Sequence, residues 1–292
     1  MKKIAVLSLL LLAAVSCNFN KSFQKDFSTG FNLVGDGVSC ENVEILVSGD
    51  AVQKPIFNFG DELSFNFSGL DGFQEEGGKY FVGVKMTVKD AEGNVVYTLD
   101  DLFGEANDGV PADKNSITAS LTMAKPIFSG QKYKLSIYIW DKKSKGNLKA
   151  DLAFELIGND AIEISGEEYY YDEIYLFSDN NKAVISDNVL AADDKVYLVV
   201  DGLSGLSVEE GLVFPIISFT VLDMEGNEIF TTGNMFAEYE ESGIKESDLA
   251  QQLTLSFDQN LIKGMSEFIL KADILDQVTE KSMQIETQIT VE

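Results

Sequence analysis

The chain of 292 residues carries 48 Asp plus Glu against 22 Lys plus Arg, a net charge of -26, and every one of those cations is Lys. With no Arg to grip phosphate in two places and a net field that repels polyanions, nucleic acid is excluded as a partner. There is no His either, which excludes serine or cysteine hydrolases built on an imidazole base and removes the commonest zinc ligand. Apolar residues make up 45% and aromatics 11%, enough to drive collapse into packed cores despite the acidity.

The N-terminus opens with Lys2 and Lys3, followed by an apolar run from Ile4 to Val15 and then Ser16-Cys17. A basic start, a run of about 12 apolar residues and small residues before a cleavage point form a signal peptide, since a permanent bilayer helix needs about 20. Ala14-Val15-Ser16-Cys17 resembles the lipobox of bacterial lipoprotein signal peptides, with Ala14 where Leu is usual and Ser16 where Gly or Ala is usual. That resemblance implies acylation of Cys17 as the first mature residue and anchoring of the protein to a membrane through lipid. Residues 1–16 are therefore read as the signal peptide. Residues 17–37 are read as lipidated Cys plus tether, because Ser28-Thr29-Gly30 and Gly35-Asp36-Gly37 interrupt the four-residue spacing of Phe19, Phe23, Phe27 and Phe31 that a helix would use. Cys40 has no thiol partner once Cys17 is acylated and reads as a small buried residue.

The rest of the chain is an internal duplication. Displaced by 133 positions, Asp61, Gly69, Leu70, Gly72, Phe81, Thr87, Val88, Asp90, Glu92, Gly93 and Asn94 fall on Asp194, Gly202, Leu203, Gly205, Phe214, Thr220, Val221, Asp223, Glu225, Gly226 and Asn227. After a slip of two residues, Leu135, Ile139 and Asp141 fall on Leu270, Ile274 and Asp276. A repeat of this length is a whole domain rather than a solenoid unit. Module 1 is placed at 38–158 and module 2 at 159–292.

Within each module the apolar period is two. Val82, Val84, Met86 and Val88 share one face of a strand, and Ile217, Phe219 and Val221 do the same in the second copy. Ala91-Glu92-Gly93-Asn94 and Met224-Glu225-Gly226-Asn227 read as hairpin turns. Seven strands are predicted in module 1: Val43–Val47, Leu63–Phe67, Tyr80–Lys89, Val95–Leu99, Ser116–Met123, Lys132–Trp140 and Asn147–Leu156. That pattern predicts an all-β fold of two tandem seven-stranded immunoglobulin-like sandwiches, with small Greek-key barrels as the alternative. Phe103 and Phe236 are expected to plug the cores from the crossings after the fourth strand, and Glu246-Ser247-Asp248 to open a short helical turn.

Three sets of residues are candidates for chemistry. Asp90, Glu92 and Asn94, with Asp223, Glu225 and Asn227, alternate oxygen ligands as a calcium loop does, but the loop is short and lacks a distal bidentate Glu, so turn chemistry accounts for them. Tyr138 and Trp140 lie opposite the core face of Leu135, Ile137 and Ile139, and Tyr169, Tyr170 and Tyr171 open module 2; such rings can stack on sugars or anchor a protein. Carboxylate pairs could in principle cleave glycosides, but no pair stands out among so many acids. No cofactor is called for.

In layout the chain resembles envelope lipoproteins of the Bacteroidetes with tandem immunoglobulin-like modules. The resemblance implies outer-membrane residence, since Asn18 follows the lipid Cys where a retention Asp would stand. The expected role is a non-enzymatic binding or adhesion module for a protein or glycan partner. A structural spacer subunit of an envelope complex is the alternative, and a carboxylate-dependent glycoside hydrolase a distant third. Solvent-facing rings at Trp140 or Tyr169–Tyr171 favour recognition, and buried ones a spacer.

Overall fold

The computed structural model describes residues 21–26, 29–104, 108–166 and 169–292; the segment 1–16 read as a signal peptide and Cys17 lie outside them. The main strands of the two modules are, in chain order, β1 Lys21–Lys25, β2 Asn32–Asp36, β3 Asn42–Val47, β4 Ile56–Asn58, β5 Glu62–Ser68, β6 Val82–Lys89, β7 Val95–Leu99, β8 Ser116–Thr122, β9 Gln131–Asp141 and β10 Asn147–Ile157. They continue with β11 Ile162–Gly166, β12 Glu173–Ser178, β13 Val189–Leu190, β14 Val196–Asp201, β15 Pro215–Leu222, β16 Glu228–Thr231, β17 Leu253–Leu255, β18 Glu267–Asp276 and β19 Ser282–Val291. The fold is all-β and immunoglobulin-like, built of packed antiparallel sheets and not closed into a barrel.

In module 1, one sheet runs β1-β2-β10-β9-β6-β7, with β4 parallel to the end of β10, and the facing sheet runs β8-β5-β3 and ends on the two-residue strand Asp50–Ala51. In module 2 the order is β11-β19-β18-β15-β16, with β13 parallel to β19, facing β17-β14-β12 and the short strand Ala183–Ile185. Nine of these main strands of the first copy thus have a counterpart in the second, and β1 has none. Each pair of sheets encloses its own core. One is centred on Phe65, Phe67, Met86, Leu135 and Ile137, the other on Phe219, Phe268, Leu198 and Ile274. Alternation explains why: β9 buries Tyr133, Leu135, Ile137 and Ile139 and turns Lys134 and Tyr138 outward.

All seven strands expected in module 1 are present, with ends moved by one or two residues except that Tyr80 falls in a separate two-residue strand before β6. The segment read as tether needs correction. Asn32–Asp36 is a strand on β10, and Phe31 and Leu33 are buried in the first core, so module 1 begins before residue 38. Phe23 and Phe31 share no helical face: Phe23 stands 70% exposed on β1, and Phe27 lies outside the described residues. β1 runs antiparallel to β2 with Lys21 opposite Asp36, and Asp36 is opposite Asn147, so Lys21 sits at the pole remote from Ile157 and module 2.

Phe103 and Phe236 pack against their cores, and a helical turn spans Glu246–Leu249. Cys40 is half-buried rather than buried. Its Sγ donates to the carbonyls of Asn42 and Ser68, and burial pushes the thiol up while those bonds pull the other way.

The modules meet across a small polar and aromatic junction. Ser129 donates through its backbone N–H (2.7 Å) and its hydroxyl (2.9 Å) to the two carboxylate oxygens of Glu173, only 3% exposed. Glu173 lies opposite Asp201 in the β12–β14 ladder, and Lys125 Nζ approaches Asp201 Oδ1 at 3.7 Å. Burial raises the Glu173 carboxyl, with the Asp201 charge adding to it and the Ser129 bonds opposing. Tyr175 stacks obliquely on Phe59 with centroids 5.2 Å apart, and its hydroxyl is pushed up to about 12, first by burial and then by the nearby Asp201 charge. Gly60, at φ +98°, lets the backbone of module 1 press against Val184; a Cβ there would stand 2.4 Å from the Val184 Cβ.

Candidate functional site

The two acidic turns superpose in chemistry as well as sequence. Asp90 accepts from the Asn94 N–H (2.8 Å) and from Asn94 Nδ2 (2.9 Å). Asp223 accepts from the N–H groups of Glu225 (2.9 Å) and Asn227 (2.8 Å) and from Asn227 Nδ2 (2.8 Å). In both, hydrogen bonds from the Asn side chain and the turn backbone hold the Asp carboxyl below the usual range. The carboxylates are thus engaged in closing their own hairpins, with Gly93 and Gly226 at positive φ. Glu92 and Glu225 stand exposed beside them. Among the described residues no three or more Cys, Asp or Glu side chains are grouped to hold a metal ion.

The aromatic candidates separate into three environments. Tyr169 is buried and its hydroxyl donates to the Lys281 carbonyl (2.7 Å), a structural role. Tyr170 is 72% exposed and Tyr171 40% exposed. Tyr171 lines an open cleft of about 480 Å³ at the module junction with Ile157, Ile162, Ile164 and Ile174.

Tyr138 and Trp140 form the third environment, on the solvent face of the β9 sheet. Their rings are stacked nearly parallel, 21° apart in plane with centroids separated by 5.7 Å, so the exposed Tyr138 and the half-buried Trp140 form one aromatic platform. The register shows what frames it. Tyr138 sits between Lys149 on β10 and Lys85 on β6, and Trp140 between Asn147 and Gly83. Gly83 lets the indole lie down on the sheet, since a Cβ there would stand 2.1 Å from Trp140 Cε2. Lys85 pairs with Asp100 at 2.7 Å and Lys149 with Asp151 at 3.3 Å, which leaves ammonium and carboxylate groups at the border of the rings.

Module 2 has no such surface. At the positions of Tyr138, Trp140 and Gly83 it carries Asp273, Leu275 and Ile216, which lie in matching register on β18 and β15. What the copies share, from the sheet order to the turn aspartates, serves the fold; the aromatic platform is particular to module 1. Lys85, Lys149 and Gly83 were not singled out from sequence, because only the cross-strand register brings them beside the rings.

No family model matches the chain. A serine-aspartate repeat-containing protein F from Staphylococcus epidermidis is 27% identical over 134 residues, covering 34% of this chain and 8% of that protein. The chain therefore spans less than a tenth of that relative's length. Among solved structures the resemblance is weak. The C-terminal domain of wzt matches 47% of this chain and 77% of its own length at 14% identity and a TM-score of 0.32. A DUF3823 family protein from Bacteroides ovatus matches 75% and 96% at 12% identity and 0.23. A structure addressing host cell surface retention of a 1.5-MDa bacterial ice-binding adhesin matches 87% and 66% at 13% identity and 0.22.

Proposed function

We propose that this protein is a lipid-anchored envelope protein that binds a protein or glycan partner without catalysing a reaction. The observation that carries the reading is the Tyr138–Trp140 platform: two stacked, nearly parallel rings on the solvent-facing side of the sheet, bordered by Lys85 and Lys149, in one module and not its copy. Flat aromatic surfaces stack on the apolar faces of sugar rings and anchor protein partners, and the bordering ammonium groups supply donors for hydroxyls or carboxylates. Exposed Tyr170 and Tyr171 offer a second contact area. The turns of Asp90, Glu92 and Asn94 and of Asp223, Glu225 and Asn227 belong to the scaffold in this reading.

The test is a screen of the soluble modules against glycans and envelope or host surface proteins, with Trp140→Ala beside the wild type. A hot-spot ring of this kind is worth about 2 kcal/mol, so the variant should bind about thirtyfold more weakly while melting near the wild-type temperature. Binding that survives Trp140→Ala at full strength moves the site elsewhere.

The anchor rests on the lipobox at Ala14-Val15-Ser16-Cys17, outside the described residues. Cells fed a fatty-acid probe should label the wild type and leave Cys17→Ala unlabelled. Equal labelling of both would remove Cys17 from the mechanism. Among the described residues no helix is long and apolar enough to cross a membrane. The spacer reading draws on one feature, the Ser129–Glu173 and Lys125–Asp201 contacts that tie the modules together.

A further inference from the structure

The duplication leaves one strand position filled in module 1 and unfilled in module 2. In module 1 the outer edge of β2 is covered by β1. In module 2 the counterpart of β2 is β11, and its outer edge pairs with no strand among the described residues. The equivalence is fixed by ladder partners: Leu33 lies opposite Ala150 on β10, and Ile164 opposite Ile285 on β19. Leu33 is 2% exposed and Ile164 39%, so the same inward position is closed in one copy and open in the other. Beside Ile164 lies the cleft lined by Ile157, Ile162, Tyr171 and Ile174.

We infer that the outer edge of Ile162–Gly166 receives the Lys21–Lys25 strand of a second copy, so that chains associate head to tail by antiparallel strand addition. Unpaired edge N–H and C=O groups are a template for such pairing. Charge selects the occupant. In its own module β1 sets Lys25 opposite Asn32 and Lys21 opposite Asp36. Laid on β11 in the same register, it sets Lys25 opposite Glu163. Two of the chain's Lys residues fall in this one five-residue strand, while the receiving strand carries Glu163 and no cation. Opposite charges directly across an antiparallel pair favour it.

β1 can leave its own module at low cost. Phe23 is 70% exposed and Gln24 is exposed, so the strand is held by its ladder with β2 rather than by the core, whereas Phe31 beyond the turn is anchored in the core. Exchange therefore trades one ladder for an equivalent one, uncovering the Leu33 edge while covering the Ile164 edge.

The test places p-benzoylphenylalanine at position 23 of the full chain and irradiates it at rising protein concentration. The expected product is a covalent dimer whose cross-link maps to Ile162–Gly166. Glu163→Lys should lower its yield about fivefold, and Lys25→Glu added to Glu163→Lys should restore it. Because both residues belong to edge strands, the melting temperatures of the variants serve as the folding control. Cross-links confined to the chain's own β2 at every concentration, dimers mapping elsewhere, or a dimer yield indifferent to Glu163→Lys each overturn the proposal.

Discussion

Asp276→Ala should lower the melting transition of module 2 by about 10 °C and leave that of module 1 in place, and Asp141→Ala should do the reverse. Each Asp is buried at the end of a long strand, β9 or β18, and ties three groups together. Asp141 accepts from the N–H groups of Gln74 (2.7 Å) and Lys143 (2.9 Å) and from the Ser144 hydroxyl (2.6 Å). Asp276 accepts from the N–H groups of Ser207 (2.9 Å) and Val278 (3.1 Å) and from the Thr279 hydroxyl (2.7 Å). Ala removes the acceptor and strands these donors where water is scarce, at roughly 1–3 kcal/mol for each group left unpaired, partly relieved by water entry, for a net of about 3 kcal/mol.

The pH dependence has a definite sign for Asp276. Burial alone would raise its carboxyl, but the bonds from Thr279, Ser207 and Val278 together hold it below the usual range. A depressed folded value gives stability that is present above the unfolded carboxylate range near pH 4 and is lost as the solution is acidified through the folded value. The gap between wild type and Asp276→Ala should therefore be constant from pH 5 to 8 and shrink below about pH 4. Calorimetry across that range checks both claims. A gap that widens on acidification, or one transition shifting in both variants, would show that the carboxylate does not hold its own module together.

The second large effect is expected from Gly83→Ala. A methyl at that position would stand 2.1 Å from two atoms of the Trp140 ring, closer than any packing allows, and the ring is the part able to move. Ala is otherwise at home here, since Gly83 is not among the residues at positive φ. The fold should survive at a cost of about 1 kcal/mol while the indole is driven off the sheet and away from Tyr138. Trp140 is the only Trp in the chain, so its fluorescence reports this one event. Emission should shift to the red and become more accessible to quenchers, and any partner found for the wild type should lose affinity as it does with Trp140→Ala. An unchanged spectrum would mean that the ring does not rest on Gly83 in solution.

Much of the architecture was legible in the sequence because both copies obey a period of two and carry the same Asp-x-Glu-Gly-Asn turn. Asn32–Asp36 was not. Its Gly35 and Asp36 are turn residues by composition, and only the ladder to Asn147–Asp151 on β10 makes them a strand. Tyr169, Tyr170 and Tyr171 look alike in sequence, yet the first is buried, with its hydroxyl on the Lys281 carbonyl, and the other two are exposed. Asp141 and Asp276 are visible as a repeated pair, but Gln74 and Ser207, which give them their purpose, lie far away in the chain. The platform is the clearest case: Trp140 is evident, and the glycine beneath it is a fact of register.

The placement of β1 also has a mechanical consequence. Without it the chain would enter module 1 at Asn32, part-way along the sheet, where Asn32 lies opposite Asp151 of β10. By running back along β2, the five residues of β1 carry the entry point about 17 Å toward the opposite pole. A pull between the N-terminal side and module 2 then acts along the axis of β1, which must slide past β2 with its hydrogen bonds loaded together rather than opened one by one. This edge strand, with Phe23 in solvent, is thus oriented to resist tension in shear, the direction in which a short ladder is strongest.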